Sequence, residues 1–230
     1  MTFWNHLDAL RHVIMRCLGV LLVSTIVLIC FREPMFRVVM QPRDWGGITL
    51  INTELTSQFM THMSVSFYVS VLLFAPYVLA ELFLFISPGL YQKERSLALR
   101  LLLSSTLLFY AGVAFNYFLV YPVTVDFLGN YQVEEHVANY ISLSSYIDTL
   151  LLMSIVLGIS FEIPVVAWLL GRVGILRREW MTRYRRHAIV AIVVVAAILT
   201  PTGDAFTLLI VSTPMYLLYE ISIYLIPHRK

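Results

Sequence analysis

The chain has 230 residues, of which 59% are hydrophobic and 13% charged. Soluble domains run at roughly 45–50% apolar and about 25% charged, so this composition excludes a water-soluble globular enzyme and a disordered chain alike. The formal net charge of +2 says little by itself; where the charges sit says more.

The chain opens MTFWNHLDALR, polar and acidic, with no cleavage region after the first apolar run, so it reads as a retained anchor and not as a signal peptide. A helix needs about 20 apolar residues to cross a bilayer core. Five segments meet that length: Val13–Phe31, Ser64–Ile86, Leu101–Tyr121, Thr149–Leu170 and Ala205–Ile226. A sixth, Ala188–Thr200, has 13 residues. That is roughly 20 Å of helix against a core of about 30 Å. It follows a basic stretch and precedes a Pro/Gly turn, which fits a short span paired with the last helix. Cys17 and Cys30, in the first span, are about 20 Å apart along a helix, beyond disulfide reach.

Lys and Arg orient the spans. Thirteen of the 16 basic residues fall on one side, including Arg11 and Arg16 before the first span and six arginines between Arg172 and Arg186. Arg32, Arg37 and Arg43 fall on the other. Both termini are therefore expected in the cytoplasm, with six spans forming one all-α membrane domain over residues 1–230. The first outer loop, from Arg32 to Met63, is apolar enough to lie on the membrane surface as short amphipathic helices. The second, Val123 to Asp148, is acidic, and the third is a turn around Pro201 to Asp204.

Ionisable groups inside spans cost about 2.5–3.5 kcal/mol near the centre and are functional candidates by default. Glu162 lies near the midplane of the fourth span; Glu81 and Glu220 lie nearer the inner ends of the second and sixth. The sequence offers none of them a Lys or Arg at matching depth within a span, so each is expected to be neutral or hydrogen-bonded to the bundle or a partner. The plain alternative is a structural interhelical hydrogen bond of about 0.6 kcal/mol. Pro76, Pro164 and Pro214 should kink or break their spans, and a carbonyl freed by Pro164 is placed to take the Glu162 proton. Glu94, flanked by Lys93 and Arg95, fits a local salt bridge equally well. The six histidines are dispersed and no HExxH, GxSxG or phosphate-binding loop occurs, so neither enzyme, metal site nor cofactor is read.

Six ordered motifs resemble one family, TatC, the multispanning receptor subunit of the twin-arginine protein translocase. HLDALR at His6–Arg11 is similar to HLxELR, and FISPGLYQKER at Phe85–Arg95 to FxxPgLyxxER. FYAGVAFNYFLVYP at Phe109–Pro122 resembles the third-helix pattern, and GISFEIP at Gly158–Pro164 matches GVxFExP. ILTPTGDAF at Ile198–Phe206 resembles the ILTPpD turn, and PMYLLYE at Pro214–Glu220 the last-helix pattern. The resemblance implies a concave, glove-like bundle in the bacterial inner membrane that binds twin-arginine signal peptides. It implies assembly with single-span TatA- and TatB-type subunits and export of folded proteins on the proton-motive force. By motif, Glu94 with Arg11, Asp8 and Phe85 would receive the peptide. Glu162, Thr200, Asp204, Met215 and Glu81 would form buried polar or partner-docking positions on the later helices. Three positions depart from the pattern: Ala9 replaces the Glu of HLxELR, Thr202-Gly203 lengthens the turn, and Leu208 stands where Gln is common. Glu81 likewise replaces a common Gln.

A proton-coupled small-molecule transporter using Glu162 is the rival from another class, but no internal repeat is evident. A cargo-free membrane scaffold would leave Glu94 and Glu162 without a role. Labelling of introduced cysteines should place residues 34–60 and 125–145 outside and residues 90–95 and 175–186 inside. External labelling at 175–186 would overturn the orientation.

Overall fold

Inside a hydrocarbon layer an unpaired backbone amide costs on the order of several kcal/mol, so long apolar runs close their hydrogen bonds locally as helix. The computed structural model describes residues 3–46, 50–86, 95–131, 140–200 and 204–226. Helix α1 runs Phe3–Ile29, α2 Arg32–Gly46 and α3 Ser57–Ile86. The third span is α4, Arg95–Phe115, followed by a π-helical turn, Asn116–Val120, and α5, Tyr121–Asn130. The fourth is α6, Leu143–Ser160, and α7, Ile163–Val173. Then come α8, Arg178–Arg183, α9, Arg185–Leu199, and α10, Ala205–Leu225.

Five stretches are long and apolar enough to cross a membrane: Leu7–Ile29, Ser57–Phe85, Leu99–Asn130, Leu143–Val173 and Ala205–Leu225. Helix α9, at 15 residues, is about 22 Å long and falls short of a bilayer core. The helices outrun the apolar windows because helical hydrogen bonding continues wherever side chains still find packing partners. At the end of the bundle that carries α2, Val65, Tyr121, Tyr146 and Ile147 pack with Met35 and Val39 in one buried cluster. Tyr117 also donates to the Val38 carbonyl at 2.6 Å, tying α2 to the third span. The segment after the first span is thus helical over Arg32–Gly46.

Two features have no counterpart in the hydropathy pattern. Strands β1, Leu50–Ile51, and β2, Ile141–Ser142, join the segments that precede α3 and α6 as a parallel pair, Leu50 opposite Ile141 and Ile51 opposite Ser142. The π turn in the third span precedes Pro122, and there the Tyr121 amide bonds back to the Asn116 carbonyl.

The prolines act unequally. Helices α3 and α10 run unbroken through Pro76 and Pro214. The fourth span breaks at Phe161–Glu162, and Pro164 sits in the first turn of α7, where its missing amide costs nothing. At the other end of α7 Gly174 takes φ 86°, the left-handed conformation that lets its amide close on Leu170 and Gly171.

The fourth span is the post around which the others stand. Two thirds (67%) of its apolar 18-residue stretch is buried, against 11–33% for the corresponding stretches of the other four long spans. Helix α6 touches α3, α4, α9 and α10, while α7 packs on α10 and α1 leans on α3. The closest approach joins the third and fourth spans through two reciprocal glycines. A Cβ on Gly112 would stand 2.6 Å from the Leu157 carbonyl and 2.9 Å from the Phe161 ring. One on Gly158 would stand 2.8 Å from the Phe109 ring. Each helix offers a glycine notch to the other's aromatic side chain. Gly112→Ala should therefore lower the thermal midpoint in detergent, by about 1–3 kcal/mol of overpacking. Gly158→Ala should cost less, because a ring can shift where a carbonyl cannot. Gly19→Ala, with nothing within 4 Å, is the neutral control; three equal midpoints would contradict the notch packing.

Candidate functional site

Glu162 occupies the N-cap position of α7, at the break in the fourth span, and is 6% exposed. Its Oε2 accepts a hydrogen bond from Ser105 Oγ of α4 at 2.5 Å. Its Oε1 has no hydrogen-bond partner among the described residues. The partner thus differs from expectation: a hydroxyl on the third span, not a carbonyl freed by Pro164. The glycine notches explain this, since they bring α4 close enough for a serine to reach across. One carboxylate oxygen is held and the other is left in a buried, low-dielectric position.

About three turns beyond Ser105 along the third span, Asn116 is fully buried at the start of the π turn. Its Nδ2 donates to the Leu150 carbonyl at 3.2 Å and to Ser154 Oγ at 2.9 Å. Sequence reasoning passed over this residue. The signal was there, an amide between Phe115 and Tyr117 in an apolar run, six residues before a proline.

Glu81 and Glu220 correct a second expectation, since each has an arginine. Arg16 Nη1 lies 3.5 Å from Glu81 Oε2, and Tyr77 one turn earlier donates to Oε1 at 3.1 Å. Arg185 Nη2 donates to Glu220 Oε2 at 2.8 Å, and Tyr216 to Oε1 at 2.9 Å. Both arginines were counted as flanking residues, but Arg16 falls in the first turn of the apolar run Val13–Phe31 and Arg185 opens α9, and from there long side chains snorkel to the carboxylates. The same triad of tyrosine, glutamate and neighbouring arginine appears twice at one end of the bundle.

The Arg16–Glu81 pair sets the start of α1 beside the end of α3. Asp8 and Arg11 are exposed there, and Phe85, one turn beyond Glu81, is half-buried. Glu94 lies outside the described residues. At the opposite end Asp204 caps α10, its Oδ1 accepting from the Thr207 amide at 2.7 Å. Thr200 and Thr207 are 4% and 0% exposed, and neither hydroxyl has a partner among the described residues. Met215 is 4% exposed and packs with Val120, Leu157 and Ala196, a core position and not a presented one. The outward face of α9 is apolar: Val190, Val194 and Ile198 are 63%, 51% and 77% exposed.

These features define a multi-pass helical membrane protein. A family model, Sec-independent protein translocase protein (TatC), matches residues 5–214. The TatC protein of Escherichia coli K12 is 36% identical over 223 residues, 96% of this chain and 86% of the relative. That of Azotobacter chroococcum is 36% identical over 98% of this chain and 90% of its own. The chloroplastic protein of Arabidopsis thaliana is 34% identical over 95% of this chain and 64% of its own. A crystal structure of the twin-arginine translocase receptor TatC superposes with a TM-score of 0.86 at 31% identity, covering 96% of this chain and 97% of that one. The chain belongs to the TatC family. It is a multi-pass component of the twin-arginine translocase, a protein-transport subunit and not an enzyme.

The Ser105–Glu162 bond yields a direct test. Ser105→Ala leaves a buried carboxyl with neither oxygen partnered and should cost about 1–3 kcal/mol of thermal stability in detergent. Ser105→Thr should retain most of it. A Ser105→Ala midpoint equal to the parent would mean that solvent or another group already serves Glu162.

Proposed function

We propose that this chain is the core receptor of the translocase: it binds twin-arginine signal peptides and assembles with TatA- and TatB-type single-span subunits. In this reading residues 1–230 form one domain of six spans, α9 being the short fifth, with both termini in the cytoplasm of a bacterium and the concave face within the inner membrane. Transport of folded cargo then draws on the proton-motive force. The observation that carries the reading is the match along nearly the whole chain to a structure described as the twin-arginine translocase receptor. The site chemistry agrees with it.

Glu94 is the expected receiver of the arginine pair. A guanidinium prefers a bidentate carboxylate in a partly dry site, and Phe85 with the end of α3 supplies the apolar wall. Asp8 and Arg11 stand on α1, whose start the Arg16–Glu81 pair sets beside the end of α3. Ala9, where the family pattern carries Glu, leaves Asp8 to serve the second guanidinium. Docking of the single-span subunits falls to the later helices. Glu162 has an oxygen to offer a donor from a partner helix, Glu81 and the buried Thr200 add polar positions, and Asp204 holds the turn between α9 and α10. Met215 would act there through packing.

The two carboxylates separate two steps. Glu94→Gln should reduce crosslinking of an Arg-Arg peptide, since a charge-assisted pair is worth about 1.5–3 kcal/mol, or roughly 10–150-fold in affinity. Glu162→Ala should leave that crosslinking nearly intact while lowering export and co-purification of a single-span subunit. Peptide crosslinking unchanged in Glu94→Gln would return that residue to a local salt bridge. Export unchanged in Glu162→Ala would leave the midplane carboxyl a structural hydrogen bond.

A further inference from the structure

The segment joining the fourth span to α9 carries Arg172, Arg177, Arg178, Arg183, Arg185 and Arg186 against one carboxylate, Glu179. Its placement is specific. Met181 of α8 turns inward, 8% exposed, onto Ala167, Ile223 and Ile226, and its carbonyl accepts from Tyr219 of α10 at 2.8 Å. With that face pinned, Arg177, Trp180, Arg183 and Tyr184 recur three and four residues apart and are all exposed. Trp180 is 51% and Tyr184 52% exposed, and Ile175, at 61%, extends the apolar rim.

The guanidinium groups are braced on rings. Arg177 lies over Trp180 at 5.7 Å, Arg178 over Tyr224 at 5.3 Å and Arg172 over Trp168 at 5.3 Å. A guanidinium seated on a ring face keeps its N–H edge for a planar pair of oxygens, the geometry a phosphate diester offers. Arg185 is turned inward, to Glu220. Arg186 is exposed on the first turn of α9, beside Arg183 and below the apolar face of that helix.

We propose that this patch is a binding site for the headgroup of an anionic phospholipid, with Arg177, Arg183 and Arg186 on the phosphate and Trp180 and Tyr184 seated at the level of the glycerol backbone. Charge complementarity selects an anion. The exposed tryptophan, tyrosine and isoleucine around it select a lipid over a soluble one, since aromatic side chains of this kind favour the headgroup layer. The site has a mechanical consequence. Helix α9 is too short to set its own depth by hydrophobic length, and a headgroup clamped at its first turn sets that depth for it.

The test uses the full chain, purified and reconstituted in phosphatidylcholine alone or mixed with phosphatidylglycerol, with retained lipid read by native mass spectrometry. Phosphatidylglycerol should be retained over phosphatidylcholine. Its retention should fall by about fivefold for each of Arg183 and Arg186 changed to Gln. R32Q/R37Q, at the other end of the bundle, should change nothing. R183K/R186K preserves the charge that orients the helices, and should lose less than the Gln pair but more than the parent. With Trp4, Trp45 and Trp168 changed to Phe, Trp180 emission should be quenched more by brominated phosphatidylglycerol than by brominated phosphatidylcholine, a difference that shrinks in R183K/R186K. Equal retention of both lipids by the parent, equal loss in R32Q/R37Q, or displacement of the lipid by inorganic phosphate would each overturn the site. The parent and Lys arms decide the matter even if R183Q/R186Q does not fold.

Discussion

The close approach of the third and fourth spans is the constraint on which the rest depends. Lipid gives helices no hydrophobic reason to associate, so interfaces in a membrane rest on packing and on a few polar contacts. Gly112 and Gly158 remove the side chains that would hold α4 and α6 apart, and Phe109 and Phe161 fill the notches. That distance lets Ser105 reach Glu162, and farther along the third span it lets Asn116 reach Leu150 and Ser154. Glu162 and Asn116 both find their partners across this seam, so seam and site are one structure.

A central, mostly buried span leaves the others with large lipid-facing surfaces. Helices α1 and α3 hold to each other through Ser24 and Ser70, whose hydroxyls are hydrogen-bonded, and through the Arg16–Glu81 pair. Such a bundle has rigid points where polar groups meet and wide apolar faces elsewhere. For a translocase component that must meet partners within the membrane, a fixed post with open flanks suits reversible docking better than a bundle buried all round.

The break at Phe161–Glu162 joins mechanics to chemistry. Helix α6 ends there, α7 restarts with Pro164 in its first turn, and the N-cap residue is the midplane carboxyl. A carboxyl on an unbroken helix would lie along the helix surface. At a break it stands where two helix ends and a neighbouring span converge, with one oxygen held by Ser105. The π turn before Pro122 does similar work in the third span, where it presents Asn116 to the seam.

The sequence by itself determined what is local or additive. Apolar windows located all five long helices and the short α9, and the resemblance of six ordered motifs named a family that the comparisons bear out. Glu162 stood out because a carboxyl in an apolar run is costly wherever the chain folds. The identity of its partner was not legible, because Ser105 lies 57 residues away and nothing in hydropathy singles it out from the adjacent Ser104. The arginines of Glu81 and Glu220 were hidden for the same reason: each reaches its carboxylate from another helix. Three prolines looked alike in sequence, yet Pro164 alone marks a break and Pro76 and Pro214 lie within continuous helix. The pairing of Leu50–Ile51 with Ile141–Ser142 depends on which loops the bundle brings together. Hydrophobicity and backbone hydrogen bonding are properties of a short window, while the choice of partner for each polar group belongs to the packed tertiary structure.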